Sequence, residues 1–289
     1  MADPGLLLVR GLGHSGSTLL DLVLGGHPSV IGLGEASRVL LSASADEFAG
    51  YLLNDWSSKY IWPCTCGSTV DQCPVWSRFF LDLPDGKNLS FEDQFSKLIS
   101  PLSNQSMKWI VESYQSDEIL LEYWRTGRSV RVIHLTRDAR SWTHSEARRG
   151  VTRYGRGSSA GWRGLQRWIR VNRRLEKKLQ RSSLPYFRLG YEELALAPEA
   201  SLKLLCDWLS LDFCPDMLKP NDSTTSHIIA GNRMRYRPEK KNRIEYDGAW
   251  LSSGGFSVRS SLLVPGVASL NRRLVYSNDV LGEVWPAVL

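Results

Sequence analysis

The chain has 289 residues, of which 42% are hydrophobic and 23% are charged, and its formal net charge is +6. This composition is typical of an ordinary globular protein. The longest apolar runs, such as residues 6–9, are far shorter than the roughly 20 residues that cross a bilayer. The N-terminus also lacks the basic stretch and long apolar segment of a secretory signal. We therefore expect a cytoplasmic protein without membrane association, folded as one domain over residues 1–289.

The first elements in the sequence are a strand, a glycine-rich loop and a helix. Residues 6–10 predict a short buried strand, and residues 18–24 have helical spacing that stops at two glycines. Residues 30–33 predict a second short strand, with a helix from about Glu35. This order of elements is the usual opening of an α/β fold.

The next segment, residues 46–106, is irregular and rich in Trp, Pro, Ser and Asp. We interpret it as an insertion of short helices and loops that forms a lid over an acceptor site. The Trp-rich residues 51–124 either wall an acceptor pocket or belong to the core.

Strands and helices then alternate along the rest of the chain. The pattern predicts strands at residues 109–113, 130–136 and 185–189, and helices at residues 117–124, from about 139, over 162–179 and at 199–209. Few clear elements follow Cys214. This alternation favours an α/β fold, a P-loop-like three-layer sandwich with a mostly parallel sheet flanked by helices.

Positive charge is concentrated between Arg148 and Arg181, which contain twelve basic residues and one acid, Glu176. A focused positive field attracts anions such as a nucleotide, an acidic acceptor, a nucleic acid or a membrane surface. The alternative is a solvated helix face without a specific partner.

The loop after the first strand, GLGHSGST at residues 11–18, is the strongest single indication of function. Glycines let backbone N–H groups turn toward an anion, and the following helix adds its positive N-terminal end. The ATP-binding version of this loop has a lysine that supports the transferring phosphate, but Ser17 stands there in this chain. The loop therefore predicts an anion-binding site, and the missing lysine weakens the hypothesis of an ATPase or kinase. The alternative is a tight structural turn that binds no ligand.

Two sequence motifs resemble, in the same order along the chain, two motifs of the sulfotransferases that use 3′-phosphoadenosine 5′-phosphosulfate (PAPS). SGSTLL at residues 15–20 resembles the family's 5′-phosphosulfate loop, and VIHLTRDARSWTHS at residues 132–145 resembles its 3′-phosphate motif. The second motif pairs Arg137 with Ser145, and Asp138 is well placed to cap the helix. An arginine fork suits a phosphate, although Arg137 in a surface ion pair is the alternative.

The resemblance implies a set of nucleotide ligands. They are Gly13, His14, Ser15, Gly16, Ser17, Thr18, Arg137, Ser145, Tyr191, Asn232 and Arg235. The family pattern YEEL, with a later proline, implies Tyr191 as a ligand. A C-terminal segment that resembles the corresponding segment of some bacterial members implies Asn232 and Arg235. Tyr191 as a core aromatic is the alternative.

The segment HPSVIGLGEASR at residues 27–38 resembles the tyrosylprotein sulfotransferase pattern, in which the glutamate is the proposed base. This resemblance implies Glu35 as general base and Arg38 as its helper; a glutamate at a helix start also stabilises the helix dipole. The chain departs from the family at His14 and Gln115, where relatives usually carry cations. We assign His14 as a cation or acid to the leaving oxygen, with a purely structural loop residue as the alternative.

Cys64, Cys66 and Cys73 form a local cluster, and five cysteines in a cytosolic chain argue against a disulfide framework. Three thiolates hold zinc only with a fourth ligand, and no histidine lies close by in sequence. We therefore predict buried thiols or one loop disulfide, and we assign no metal ligand.

The resemblance implies a PAPS-dependent sulfotransferase that acts on a hydroxyl or amine of a small-molecule acceptor. The alternatives are a homologue that binds PAPS or its product PAP without turnover, a P-loop kinase or NTPase, and a nucleic-acid-binding module that uses residues 148–181. We do not expect a nucleic-acid or membrane partner, and the sequence sets no oligomeric state.

Overall fold

The computed structural model describes residues 4–42, 63–81, 89–102, 106–116, 122–123, 125–149, 158–220, 226–231 and 243–281. The Cα positions divide the chain into two compact units, each assembled from three separate stretches. Unit 1 contains residues 1–9, 18–131 and 214–243, and unit 2 contains residues 10–17, 132–213 and 244–289. The first strand contributes residues to both units, and the expectation of one domain over the whole chain stays a prediction.

Five parallel strands form the sheet. They are β1 (Gly5–Gly11), β2 (Val30–Gly32), β3 (Trp109–Glu112), β4 (Val130–Thr136) and β5 (Tyr186–Gly190), in the order β2-β3-β1-β4-β5. In unit 1, β3 pairs with two parallel neighbours, so that Ile110 lies opposite both Leu6 and Ile31. In unit 2, β4 pairs with β5, and Ile133 lies opposite Phe187. Strands β1 to β4 are almost wholly buried, as expected for a parallel sheet covered on both faces, whereas the first three residues of β5 are half-buried.

The helices of unit 1 are short. They are α1 (Ser17–Leu24, whose first residue belongs to unit 2), α2 (Ala36–Ser42), α3 (Trp76–Leu81) and α4 (Phe91–Ile99), with 3-10 helices at Val70–Gln72, Ser100–Leu102 and Pro215–Leu218. Trp76, Phe79 and Phe95 are almost fully buried. The described parts of the irregular segment therefore contain the short helices that we predicted, and Trp76 belongs to the core. The lid role of this segment stays a prediction.

Unit 2 has longer helices around a core of its own. They are α5 (Ala139–Arg149), α6 (Ser158–Arg181), α7 (Tyr191–Leu196), α8 (Pro198–Leu209), α9 (Ala249–Ser253), α10 (Phe256–Arg259) and α11 (Val267–Val275), with a 3-10 helix at Ser261–Leu263. The core joins α5, α6 and α11 through Trp142, Trp168 and Leu274. Leu12 of the glycine-rich loop is part of the same core.

Helix α6, in the basic segment, is amphipathic. Leu165, Trp168 and Leu179 face the core, while Arg163, Arg170 and most other basic side chains of the helix are exposed. None of the helices in the described part of the chain is long and apolar enough to cross a membrane.

Most predicted strands and helices are confirmed within one or two residues. The helix predicted at residues 117–124 lies largely outside the described residues. The prediction of few elements after Cys214 was wrong, because the described residues there form α9, α10, α11 and two 3-10 helices. In α11, Val267, Leu270 and Leu274 recur at helical spacing and bury one face of the helix.

Candidate functional site

The glycine-rich loop in unit 2 contains two residues with a left-handed backbone. His14 has φ 73° and Gly16 has φ 99°, and the N–H of Ser15 donates to the carbonyl oxygen of Leu12 at 3.2 Å. Left-handed residues next to ordinary ones turn successive N–H groups to one side, which is the arrangement that binds anions. A Cβ on Gly16 would lie 2.8 Å from Cδ2 of Tyr191, so a larger residue does not fit there.

The core of unit 2 holds this loop from behind. Leu12 is buried in the core, and Nε1 of Trp142 donates to the carbonyl oxygen of Gly13 at 3.0 Å. Gly11 approaches β4 so closely that a Cβ there would overlap the carbonyl oxygen of Leu135. Gly13 and His14 are exposed, so the loop is fixed on its core side and open to solvent on the other.

Arg137, directly after β4, lies against the loop. Its Nη1 donates to the carbonyl oxygen of His14 at 3.4 Å, and its guanidinium carbon lies 4.8 Å from the centre of the Tyr191 ring. Its Nε donates to Oγ of Ser141 at 2.8 Å, and Trp168 holds its carbonyl oxygen at 2.9 Å. The side chain of Arg137 is therefore held in one orientation beside the loop and stacked on an aromatic ring.

Asp247 is the anionic partner of this arginine. Nη2 of Arg137 donates to Oδ2 of Asp247 at 2.8 Å, and the carboxylate is 52% exposed. Partial burial opposes ionisation of Asp247, but the bond and the charge of Arg137 lower its pKa below the ordinary value. The ion pair weighed for Arg137 in the sequence is therefore present, and it forms at the edge of the loop.

Tyr191 supports both the arginine and the segment that carries Asp247. Its hydroxyl donates to the carbonyl oxygen of Glu245 at 2.8 Å and accepts from the N–H of Asp247 at 3.2 Å. Burial is the main cause that raises the pKa of Tyr191 to about 12. Tyr191 is thus a buried neutral phenol at the loop, as both a nucleotide-site tyrosine and a core aromatic would be.

Helix α5 begins as predicted, because Oδ1 of Asp138 accepts from the N–H of Arg140 at 2.8 Å and caps the helix. The hydroxyl that contacts Arg137 belongs to Ser141, which the sequence reasoning missed. Ser145 is half-buried one turn further along the same helix. Residues four apart share a helix face, so a search for a second serine at this spacing would have found Ser141.

Glu35 lies in unit 1, immediately before α2. Oε2 accepts from Nη1 of Arg38 at 2.9 Å, and the carboxylate side chain is 23% exposed. The N–H of Glu35 donates to the carbonyl oxygen of Ala230 at 3.2 Å. Glu35 and Arg38 are therefore brought together as expected; their roles in catalysis stay predictions.

Two buried carboxyl groups fix the backbone around Glu35. Oε1 of Glu112 accepts from the N–H of Ser37 at 3.2 Å and caps α2, while Oδ2 of Asp21 accepts from the N–H of Gly34 at 2.9 Å. Burial is the main cause that raises the pKa of Asp21 to about 8, and the charge of Glu112 raises it further. The sequence did not reveal either group, because each acts on a residue far along the chain.

Gln115 bonds to main-chain atoms of unit 1. Its amide nitrogen donates to the carbonyl oxygens of Val9 at 2.9 Å and Ser113 at 2.7 Å. Val9 lies two residues before the glycine-rich loop in sequence. A neutral amide is therefore anchored to the end of the strand that leads into the loop.

The other predicted nucleotide ligands are Ser17 and Thr18 at the start of α1, and Asn232 and Arg235. Ser17 begins α1 and Thr18 follows it, and both are half-buried. Asn232 and Arg235 lie outside the described residues.

The three clustered cysteines lie beside a histidine that sequence reasoning missed. Ligand atoms of Cys64, Cys66, Cys73 and His227 all lie within 4.8 Å of one another. His227 is 154 residues beyond Cys73, so no local spacing pattern could have indicated it.

Comparison with solved structures finds similarity to the sulfotransferase domain from the curacin biosynthetic pathway. The TM-score is 0.62 at 20% sequence identity, over 91% of this chain and 98% of that chain. The sulfotransferase domain from the Synechococcus PCC 7002 olefin synthase gives a TM-score of 0.46 at 17% identity, over 100% of this chain and 97% of that chain. No protein-family model and no curated protein matches the sequence. The chain thus has the P-loop-like α/β fold of a solved sulfotransferase domain, which confirms the predicted fold class.

Proposed function

We propose that this protein is a sulfotransferase that moves a sulfuryl group from PAPS to a hydroxyl or amine of a small-molecule acceptor. The observation that carries the proposal is Arg137, which is bonded to the loop at His14 and stacked on Tyr191. An arginine fixed beside an anion-binding loop suits a nucleotide with two phosphate positions. The fold shared with a solved sulfotransferase domain supports this choice over other nucleotide-binding proteins.

The loop and the start of α1 would hold the 5′ end of the nucleotide. Gly13 has room for a close ligand, because a Cβ built there meets nothing within 4 Å. The first N–H groups of a helix have no partner within the helix, so those of α1 add donors of the right polarity. The hydroxyls of Ser15, Ser17 and Thr18 complete this set of donors.

Arg137 would bind the 3′-phosphate, assisted by Ser145. Asp247 now occupies Nη2 of Arg137, and half of this carboxylate is exposed. A phosphate that took its place would gain the guanidinium fork, while the carboxylate would return to water. Asp247 is therefore a built-in competitor for the phosphate that the site accepts.

Glu35 would remove the proton from the acceptor. The acceptor atom then forms its bond to sulfur as the bond between sulfur and the nucleotide's phosphate oxygen breaks, and PAP leaves. His14 in the loop would stabilise or protonate that leaving oxygen, and Arg38 would orient Glu35 through the bond at 2.9 Å.

A second function, nucleotide binding without turnover, is favoured by Gln115. Its amide donates to two main-chain carbonyl oxygens and supplies no positive charge at the position where relatives carry a cation. A site without that cation would still bind the nucleotide, but it would stabilise the leaving phosphate less well.

The test combines binding with turnover. Calorimetry should show that PAP binds much more tightly than ADP, which lacks the 3′-phosphate. The protein is then incubated with PAPS and a metabolite extract, and mass spectrometry should find a product that has gained a sulfuryl group. PAP binding without any sulfated product would favour the second function. Failure to bind PAP, or Mg²⁺-dependent ATP hydrolysis instead, would overturn the proposal.

A further inference from the structure

A cluster of three thiols and one imidazole lies within unit 1, and the nucleotide chemistry does not use it. Sγ of Cys64 lies 3.6 Å from Sγ of Cys73, and Nδ1 of His227 lies 3.8 Å and 3.3 Å from these two sulfur atoms. Cys66 completes the group, with all four ligand atoms within 4.8 Å. Cys64 and Cys73 are buried, whereas Cys66 is exposed.

These distances match the edges of a metal-centred tetrahedron. Zinc binds a thiolate at about 2.3 Å and a histidine nitrogen at about 2.0–2.1 Å, which puts neighbouring ligand atoms roughly 3.5–3.8 Å apart. The three separations between Sγ of Cys64, Sγ of Cys73 and Nδ1 of His227 span 3.3–3.8 Å, close to these edge lengths. A disulfide requires sulfur atoms about 2.05 Å apart, so these thiols are arranged around a common centre rather than paired.

The backbone around the first two cysteines is shaped for this purpose. The N–H of Gly67 donates to the carbonyl oxygen of Cys64 at 3.1 Å, and the N–H of Cys64 donates to that of Ser68 at 3.1 Å. Gly67 has φ 89°, a conformation that favours glycine. This tight turn directs the thiols of Cys64 and Cys66 to the same side.

The segment that carries His227 is bonded directly to the cysteine turn. Thr65 donates its N–H to the carbonyl oxygen of Ile228 at 3.2 Å, and its hydroxyl accepts from the N–H of Ile228 at 3.0 Å. Nε1 of Trp76, three residues beyond Cys73, donates to the carbonyl oxygen of His227 at 2.6 Å. The fourth ligand is therefore fixed by main-chain bonds and is already in position.

We propose that Cys64, Cys66, Cys73 and His227 bind one structural zinc ion. Three thiolates and the neutral Nδ1 of a histidine complete a tetrahedral site and leave no open position for a substrate, so the site is structural rather than catalytic. The cluster ties two stretches of chain that are far apart in sequence, which is the usual effect of a structural zinc site on a fold.

The zinc site also connects to Glu35. The N–H of His227 donates to the carbonyl oxygen of Gly32 at 2.7 Å, and the N–H of Glu35 donates to that of Ala230 at 3.2 Å. The metal therefore fixes the segment 226–231 that runs beside the base. This consequence for catalysis rests on the proposed function, whereas the metal site itself does not.

The experiment measures metal in the full-length protein, purified with its thiols reduced and with zinc in the medium. Elemental analysis should find about one equivalent of zinc, and Cys66→Ser should lose most of it. Cys66 is exposed, so its replacement disturbs packing least. Cys214→Ser is the matched control, because Cys214 is a partly exposed cysteine outside the cluster, and it should retain the metal.

A second readout does not depend on metal retained in purification. Apo protein titrated with Co²⁺ should develop thiolate charge-transfer bands and the strong visible bands of tetrahedral cobalt, and Cys66→Ser should weaken them. Chelation of zinc should lower the melting temperature of the wild type but not that of Cys66→Ser.

Three results would overturn the zinc site. These are no uptake of either metal by reduced protein, full zinc content in Cys66→Ser, and a mass loss of two hydrogens that maps a disulfide to Cys64 and Cys73 in protein purified without oxidant. Nucleotide binding and sulfuryl transfer are measured on the same samples. Stoichiometric zinc without transfer would therefore contradict the proposed function and leave the metal site standing.

Discussion

Arg137 is contacted by neutral groups on three sides and by one carboxylate, Asp247, on the fourth. If this arginine binds the 3′-phosphate, Arg137→Ala should weaken PAP binding by about 10- to 100-fold, because a hydrogen bond to a charged group contributes about 1.5–3 kcal/mol. ADP binding should change little. Calorimetry with both nucleotides measures this difference, and Arg170→Ala on the exposed face of α6 is the control.

The opposite change is expected at Asp247. Asp247→Asn removes the charge that competes with the phosphate but preserves an acceptor for the N–H of Ala249, which Oδ1 now accepts at 3.2 Å. This variant should bind PAP more tightly than the wild type. Equal losses of PAP and ADP affinity in Arg137→Ala, together with no gain in Asp247→Asn, would assign the pair a purely structural role.

At Glu35, charge and shape can be separated. Glu35→Gln preserves an acceptor for Arg38 but cannot take a proton, so turnover should fall by about 10²- to 10⁴-fold while PAP affinity stays unchanged. Steady-state rates and calorimetry check the two halves. Glu122→Gln is the matched control, because Glu122 forms the same three-residue-apart pair with Arg125 at 2.9 Å. A near-normal rate in Glu35→Gln would remove Glu35 from the mechanism.

At the scale of elements, local patterns reveal strands and helices but not the long-range bonds that position the site. The periodicity of residues 130–136 and the glycines after β1 are sufficient to predict β4 and the loop, because a buried strand and a tight turn each depend on neighbouring residues. His227 reaches the cysteine turn, and Glu112 caps α2, only after the chain has folded. The motifs therefore predict ligands for the proposed nucleotide site, whereas no motif predicts the fourth ligand of the proposed zinc site.

Asp21 is a buried acid that joins helix α1 to the segment before α2, because its carboxyl group accepts a hydrogen bond from the N–H of Gly34. Because burial raises the pKa of Asp21 from 3.8 to about 8, the folded protein favours the protonated form. Its contribution to stability is full below the unfolded pKa and is lost as the pH rises through the folded pKa. Stability should thus decline by about 1.4 kcal/mol per pH unit between those two values on account of this group.

Asp21→Asn tests this directly, since an amide oxygen can still accept from the N–H of Gly34. Urea unfolding at several pH values should show a slope that is smaller by about one proton in the variant. Asp216→Asn, at an exposed position on the 3-10 helix, is the matched control. An unchanged slope in Asp21→Asn would mean that Asp21 is ionised in the folded protein.

At the scale of the whole molecule, the two compact units are interleaved along the chain. Each is built from three stretches, and strand β1 supplies residues 5–9 to one unit and residues 10–11 to the other. A strand cannot unfold in one half without loss of its register in the other. We therefore expect the units to unfold together, as one domain would.

Two buried acids, one in each unit, test this cooperativity. Burial raises the pKa of Glu192 in unit 2 to about 8, and the charge of Asp138 raises it further. The contribution of Glu192 to the stability of the protein should therefore decline with rising pH, as that of Asp21 in unit 1 does. In Glu192→Gln, the amide oxygen can still accept the hydrogen bond from the N–H of Asp138, which is 2.9 Å long in the wild type.

If the chain unfolds as one unit, Asp21→Asn and Glu192→Gln should each shift the same single calorimetric transition near pH 8. The double variant should then shift this transition by the sum of the two single shifts. Two transitions, each moved by only one substitution, would instead divide the protein into two domains.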